Sequence, residues 1–294
     1  MNLAPGIYPD IPEDVYHADA LCDVPTLSSS MCKILVGKSA AHAFYSHPRL
    51  NRELQREEKE LFDLGTISHA LMLQGLSVAV VLKHDNWKTK AAREERDFVR
   101  SVGKIPVLES NWARCLAMVT AGKKQLAAHK EAADAFTKGK PEQTMIWQDD
   151  HGVMCRARVD WLHDSLLTID DLKTTGRSAN PDGLERVIYS MGWDVQSAFY
   201  LRGLEKLDPR AGAVNRQFRF IAQENVEPYA LSVIGVHPTF EWSGRQNVQK
   251  AIDLWAKCLK SNKWPGYPDR IAYPELPKYA ESKMIEAELQ EVSN

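Results

Sequence analysis

"TIDDLKTTG", residues 168–176, places two carboxylates side by side and a lysine two positions on, inside a stretch whose other residues suit a buried strand. In an extended strand alternate residues share a face, so Asp171 and Lys173 point one way and Asp170 the other. An acid and an amine on one face make either a salt bridge or a metal ligand beside a catalytic cation. The surrounding sequence has to separate the two; where Asp171 is a ligand and Lys173 the catalytic cation, Asp170 reads as structural.

Upstream, "EQTMIWQ" (142–148) and "VMCRARVDWL" (153–162) read as two further strands, with the turn-forming "DDHG" between them and "HDS" leading into the third. Each strand carries a polar residue where an apolar one would pack better. Glu142 opens the first, Asp160 lies near the end of the second, and Asp171 and Lys173 occupy the third. Strand register would have to bring Asp160 and Asp171 together. If it does, two like charges a few ångströms apart demand a cation, and magnesium, which takes oxygen ligands, suits them. Such an ion would polarise a phosphodiester and acidify a bound water, while Lys173 orients that water and offsets charge on the phosphorus oxygens. Taken singly, these residues have plainer readings: a structural ion pair for Asp171 and Lys173, and a turn or edge residue for Asp160.

The flanks are mostly helical in pattern. Residues 1–25, rich in Pro and Asp, read as a surface loop, and "LSSSMCKILVGKSAAHAFYSHP" (27–48) as a helix with serines able to cap it. A second helix is expected over 53–75, a strand at "VAVVL" (78–82), and helical pattern from 89 to 139, interrupted near "GKIPVLES" (103–110). After the third strand come helices at 181–192 and 193–207, strands at 216–224 and 229–236, and a long helix across 238–261. The expected fold class is α/β, with a central mixed sheet flanked by helices. It is read as a single domain with a mainly helical portion at 1–140, a sheet core at 141–262 and a C-terminal tail at 263–294, whose last twenty residues read as polar and loosely held.

Composition narrows the class. With 44% hydrophobic and 26% charged residues among 294, the chain is ordinary for a globular protein and long enough for a sizeable core. A net charge of −2 argues against a passive nucleic-acid coat, though not against an enzyme with a local basic channel. The longest aliphatic run, "LSVAVVL" (76–82), is too short to span a bilayer, and the first residues lack the pattern of a signal peptide. The five cysteines (22, 32, 115, 155, 258) form no Cys-x-x-Cys pair, so a reduced, cytoplasmic protein without structural zinc, disulfides or an iron–sulfur cluster is expected. "MVTAGKKQ" (118–125) lacks the earlier glycine of a phosphate-binding P-loop.

"CRARVDWL" followed by "TIDDLKTT" resembles the PD-(D/E)xK nuclease core, with Val159 in place of the proline, which many members of the RecB-type branch also lack. That branch adds Gly-x-x-x-His upstream and Gln-x-x-x-Tyr downstream, matched here by Gly65 and His69 in "LGTISH" and by Gln196 and Tyr200 in "VQSAFY". Together with "PGIYPDIPEDVYH", "LSSSM" and "KWPGY", these motifs make residues 4–280 similar to the exonuclease VIII (RecE-like) nuclease domain. The resemblance implies that His69, Asp160, Asp171 and the Leu172 carbonyl bind the metal. It makes Lys173 the catalytic lysine, and has Gln196 and Tyr200 brace the site and touch the DNA backbone. Glu142 matches a glutamate often found on the preceding strand.

The activity implied is magnesium-dependent 5′→3′ resection of duplex DNA ends, with manganese able to substitute because of the imidazole ligand. The resemblance further implies a toroidal homo-oligomer, and a single-strand annealing partner that takes up the 3′ overhangs in recombination. Alternatives stand beside these roles. His69 could be a core histidine, Gln196 and Tyr200 a plain side-chain pair, and Ser28 and Ser30 helix caps rather than a 5′-phosphate site. Arg156 and Arg158 could be phosphate contacts or strand-surface residues. Rival activities are a single-strand exonuclease, a structure-selective endonuclease, or a non-catalytic DNA-end-binding protein.

Overall fold

The computed structural model describes residues 1–51, 53, 54, 64–210 and 212–292. The strands are β1 (Gly6–Tyr8), β2 (Ala79–Leu82), β3 (Ile105–Leu108), β4 (Gly139–Gln148), β5 (Met154–His163), β6 (Thr168–Thr175), β7 (Gln217–Glu224) and β8 (Leu231–Gly235). The α-helices begin with α1 (Glu13–His17), α2 (Ser29–Gly37), α3 (Ala40–Ser46), α4 (Leu64–Gln74), α5 (Lys90–Ser101) and α6 (Glu109–Ala127). After the sheet hairpins come α7 (Glu185–Ser190), α8 (Trp193–Leu207), α9 (Pro238–Ser261) and α10 (Lys278–Val292).

Among the described residues one mixed sheet runs β1-β4-β5-β6-β7-β8, antiparallel throughout except for the parallel pair β6–β7. A parallel pair cannot be joined by a tight turn, and α7 and α8 supply the crossover. The sheet is covered on both faces. One face packs Trp147, Val159 and Phe220 against α8 and α9, with Phe199 and Trp255 fully buried. The other packs Leu172 and Ile221 under Ile67 and Leu71 of α4 and Val119 of α6. Helix α8 is buried along most of its length because α9 lies over it. At Gly244 an added Cβ would stand 2.2 Å from the Asp194 carbonyl oxygen, so only glycine allows the helices to approach this closely.

The expected α/β class, with a central mixed sheet flanked by helices, is what the chain forms. Several local expectations change. The N-terminal "loop" contains α1 and contributes β1 to the sheet edge, pairing with β4. The helix expected over 27–48 breaks at Lys38, and Ser39 restarts it by accepting a hydrogen bond from the His42 N–H at 3.4 Å. Residues 103–110 contain β3, which pairs in parallel with β2 in a separate two-stranded sheet bridged by α5. Residues 129–138 are turns rather than helix. The tail expected to be loose is helical over Lys278–Val292, a run rich in Ala, Glu, Lys, Met and Leu, which favour helices. Residues 55–63 of the expected second helix lie outside the described residues. No helix among the described residues is long and apolar enough to cross a membrane.

Candidate active site

The β5–β6 hairpin decides whether the two aspartates meet. Its ladder pairs Leu162 with Ile169 and Trp161 with Asp170, then stops. One further step of the same register sets Asp160 across from Asp171. There the carboxylate of Asp160 takes the place of a ladder bond, accepting the Leu172 N–H at Oδ2 over 2.8 Å. His69 Nε2, from α4, stands 2.9 Å from the same oxygen. On the other side of β5, Pro141 pairs with Trp161 and Gln143 with Val159, so Glu142 lies across from Asp160. Glu142 adopts a left-handed backbone (φ 54°), interrupting the ladder at that point. Non-glycine residues held in this region are costly and concentrate where geometry serves function.

Asp171 and Lys173 share the face of β6 opposite Asp170, below α8. The Lys173 ammonium lies against Asp171 Oδ2 and donates to Gln196 Oε1 at 3.1 Å, while Gln196 Nε2 donates to Asp171 Oδ1 at 2.6 Å. The side-chain amide thus fixes both groups at once. The approach of Lys173 to Oδ2 is not along a hydrogen-bonding direction, and that buried oxygen has no hydrogen-bond donor. Tyr200, one helical turn beyond Gln196, is buried near Ser29 at the start of α2.

The charges perturb one another. Asp171 is only 1% exposed, and burial, aided by the negative charge of Asp160, pushes its carboxyl up to about 6 against the pull of Lys173. Burial also acts on Asp160, but His69, Lys173 and the Leu172 N–H outweigh it and hold that carboxyl below its ordinary value. Burial pulls the His69 imidazole down, yet Asp160, with Glu142 and Asp171, raises it on balance. Glu142 is raised by burial and by Asp160 despite its 2.6 Å hydrogen bond from Arg158 Nε. Carboxylates in neighbouring positions driven in opposite directions are a frequent mark of an acid–base or metal site.

His69, Glu142, Arg158, Asp160 and Tyr200 line a cleft of about 670 Å³ that also takes in Ser28, Ser30 and, from the α5–β3 corner, Arg100 and Lys104. Asp171, Lys173 and Gln196 do not line this cleft; Asp160, whose charge acts on Asp171, connects them to it. Ser28 caps α2, its hydroxyl accepting from the Met31 N–H at 3.4 Å, whereas Ser30 is exposed. Arg158 binds Glu142 and the Ile11 carbonyl. Arg156, read from sequence as a phosphate contact or a strand-surface residue, borders the same cleft but is not on the surface. It is buried, ion-paired to Asp19 and hydrogen-bonded to Thr26, with Tyr16 beneath its guanidinium. Those partners lie more than a hundred positions away, which is why spacing within "RARVD" could not reveal them. Asp170 is structural: Arg219 and His163 hold it on the far face, with Arg219 Nε at 2.6 Å and His163 Nε2 at 2.7 Å.

Leu172 contributes its N–H to Asp160 and its side chain to the core. Lys33 is absent from the sequence reading. It lies on α2 near Lys173 and Asp171, and burial and the Lys173 charge pull its amine down to about 8. Its place three and four residues after Ser30 and Ser29 was the available signal.

Among the described residues no three His, Cys, Asp or Glu side chains converge on one point, because His69 sits on Asp160 and Lys173 on Asp171. The donor chemistry nonetheless fits a hard divalent cation. Two carboxylates stand in neighbouring strand positions, and a buried Asp171 oxygen lacks a hydrogen-bond donor. Asp160 and Asp171 would hold such an ion.

Comparison with known proteins agrees with this geometry. No curated protein matches the sequence. The fold resembles the crystal structure of a "Putative exonuclease" from Eubacterium rectale, with a TM-score of 0.58 and 12% identity, over 92% of this chain and 97% of that one. Residues 28–277 match the model of the family described as "PDDEXK-like domain of unknown function (DUF3799)", a type of nuclease fold that works with divalent metals. The chain therefore belongs to this PDDEXK-like family within the PD-(D/E)xK nuclease superfamily.

Proposed function

We propose that this protein is a divalent-metal-dependent DNA exonuclease that resects duplex ends, 5′ to 3′, and leaves 3′ single-stranded overhangs. The observation that carries the reading is the pairing of two clusters across the β5–β6 fork. Asp160 with His69 lines the cleft, and Asp171 with Lys173 and Gln196 lies beside them across the hairpin. A bound ion, magnesium with manganese as its substitute, would polarise the phosphodiester and acidify a water. The chain's own groups do the rest. Lys173, 24% exposed, offsets charge growing on the phosphorus oxygens, and Gln196 keeps its ammonium aimed. His69, Asp160, Asp171 and the Leu172 carbonyl are the proposed ligands, and Glu142, held by Arg158, adds negative charge beside them. Ser28 and Ser30 at the mouth of α2 suit a terminal 5′-phosphate.

The 5′→3′ direction rests on the resemblance to RecE-like nucleases, as do a ring of subunits around the duplex and an annealing partner for the overhang. Arg100, Lys104 and Arg158 supply local positive charge to the cleft of a chain whose net charge is −2. The test is digestion of linear duplex labelled at the 5′ or the 3′ end, in magnesium and in EDTA, beside Asp171→Ala and Lys173→Ala. Early, metal-dependent release of 5′ label that both substitutions abolish is expected. Release of 3′ label first overturns the direction, cutting of closed circles overturns the exonuclease, and no cleavage by folded wild type overturns the enzyme.

A further inference from the structure

Lys33 lies on α2 three and four residues after Ser30 and Ser29, so it shares a helix face with those two cleft-lining serines without itself lining the cleft. Its stem is laid over Gly192, where an added Cβ would stand 3.1 Å from Lys33 Cγ and Cδ and 3.2 Å from Cε. Gly192 has a left-handed backbone (φ 63°) and immediately precedes Trp193, whose ring centroid is 5.9 Å from Lys173 Nζ. The stem thus passes the start of α8, next to the Trp193 that neighbours Lys173, and the Lys173 charge acts on its ammonium. Lys173, Asp171 and Asp194 are the charged groups acting most on it from the facing elements.

Among the described residues Lys33 has no hydrogen-bond or ion-pair partner. Asp171 is taken by Lys173 and Gln196, and Asp194 accepts from the Ser243 hydroxyl at 3.1 Å. A half-buried ammonium without an ion-pair partner, acted on by a second ammonium, is unfavourable. Its pKa, pulled down to about 8, reflects that cost. Structural lysines of this burial are ordinarily paired. One left open beside a phosphodiester-cleaving cluster suits a phosphate that arrives with the substrate.

We propose that Lys33 is a substrate-binding residue whose ammonium contacts a backbone phosphate of the strand seated at Lys173. This deepens the nuclease reading and rests on it. The two lysines engage the phosphates of one strand together, and the bound anion relieves their mutual repulsion.

The test uses wild type, Lys33→Met, which keeps the stem over Gly192, and Lys33→Arg, which keeps the charge. Binding of a fluorescein-labelled blunt duplex is followed by anisotropy in EDTA between about 50 and 200 mM salt, and the free proteins are melted in parallel. Losing one phosphate contact should flatten the slope of log affinity against log salt by about 0.9, so the advantage of wild type over Lys33→Met should shrink about threefold across that range. Lys33→Arg should restore the slope. Lys33→Met should melt no lower than wild type, since an unpaired charge is removed. An unchanged slope overturns the proposal. So does a Lys33→Met protein that melts several degrees lower or fails to fold, because the amine would then have a structural role. A wild type that binds no duplex overturns it too, and magnesium-dependent digestion of the same DNA decides the nuclease reading separately.

Discussion

Replacing Asp171 by Asn should abolish cleavage and, in EDTA, make the protein more stable. Asp171 is 1% exposed, and its carboxyl is raised from 3.8 to about 6. A folded-state pKa above the unfolded one means that the folded chain holds the proton more tightly. This group therefore favours folding at low pH, and that contribution is lost as pH rises from about 4 to about 6. The size of the rise corresponds to about 3 kcal/mol, with the attraction of Lys173 already included. Asparagine is neutral at every pH, and its carbonyl can keep the hydrogen bond from Gln196. At roughly 2 °C per kcal/mol for a chain of this size, Asp171→Asn should melt up to about 6 °C above wild type at pH 7. The gap should be small near pH 4, open by pH 6 and stay flat above. Magnesium should then raise the melting temperature of wild type and close the gap, because it binds only where the carboxylate remains. Thermal melts at several pH values, with EDTA and with magnesium, read all of this. If Asp171→Asn melts below wild type in EDTA at pH 7, the Asp171–Lys173 pair is a net stabilising salt bridge, and the argument from its burial fails.

The neighbouring position should behave oppositely. Asp170→Asn leaves the buried Arg219 and His163 short of a partner and should cost about 3 kcal/mol in denaturant titration. Arg156→Met should cost a similar amount, about 3–5 kcal/mol, by stranding Asp19, yet the folded fraction should cleave DNA normally. Gln196→Leu removes the amide that fixes Lys173 and Asp171. Single-turnover rates should fall by about 10- to 100-fold while DNA affinity changes little, and a matching loss of affinity would mean that Gln196 holds substrate instead.

Much of the catalytic region was legible in the chain because alternation and turn chemistry are local. Strands β4, β5 and β6, helix α8 and the long α9 fall where period and punctuation put them. The separation of Asp170 from Asp171 onto opposite faces follows from strand geometry alone, and the structure gives each its expected kind of neighbour. Pairings between distant segments were not legible. Nothing in "GIY" says that it will add an edge strand to β4, and nothing in "KIPVL" says that β3 will leave the main sheet for β2. Arg156 has the same alternation as Arg158, yet Asp19 and Thr26 make it a core residue. Lys33 was missed because an amphipathic helix hides which of its polar residues face a site rather than water.

The turn "HDS" touches none of the reacting groups, yet it carries a constraint of its own. It sets the pairing of Trp161 with Asp170, and through it the positions of Asp160 and Asp171. Adding or deleting one residue there would slide one strand by a step and send its aspartate to the opposite face of the sheet. His163 is fixed in kind by its bond to Asp170, whereas Asp164 and Ser165 should be constrained more in number than in identity. An inserted residue at this turn should therefore cost cleavage more than a replacement of Asp164 or Ser165 does.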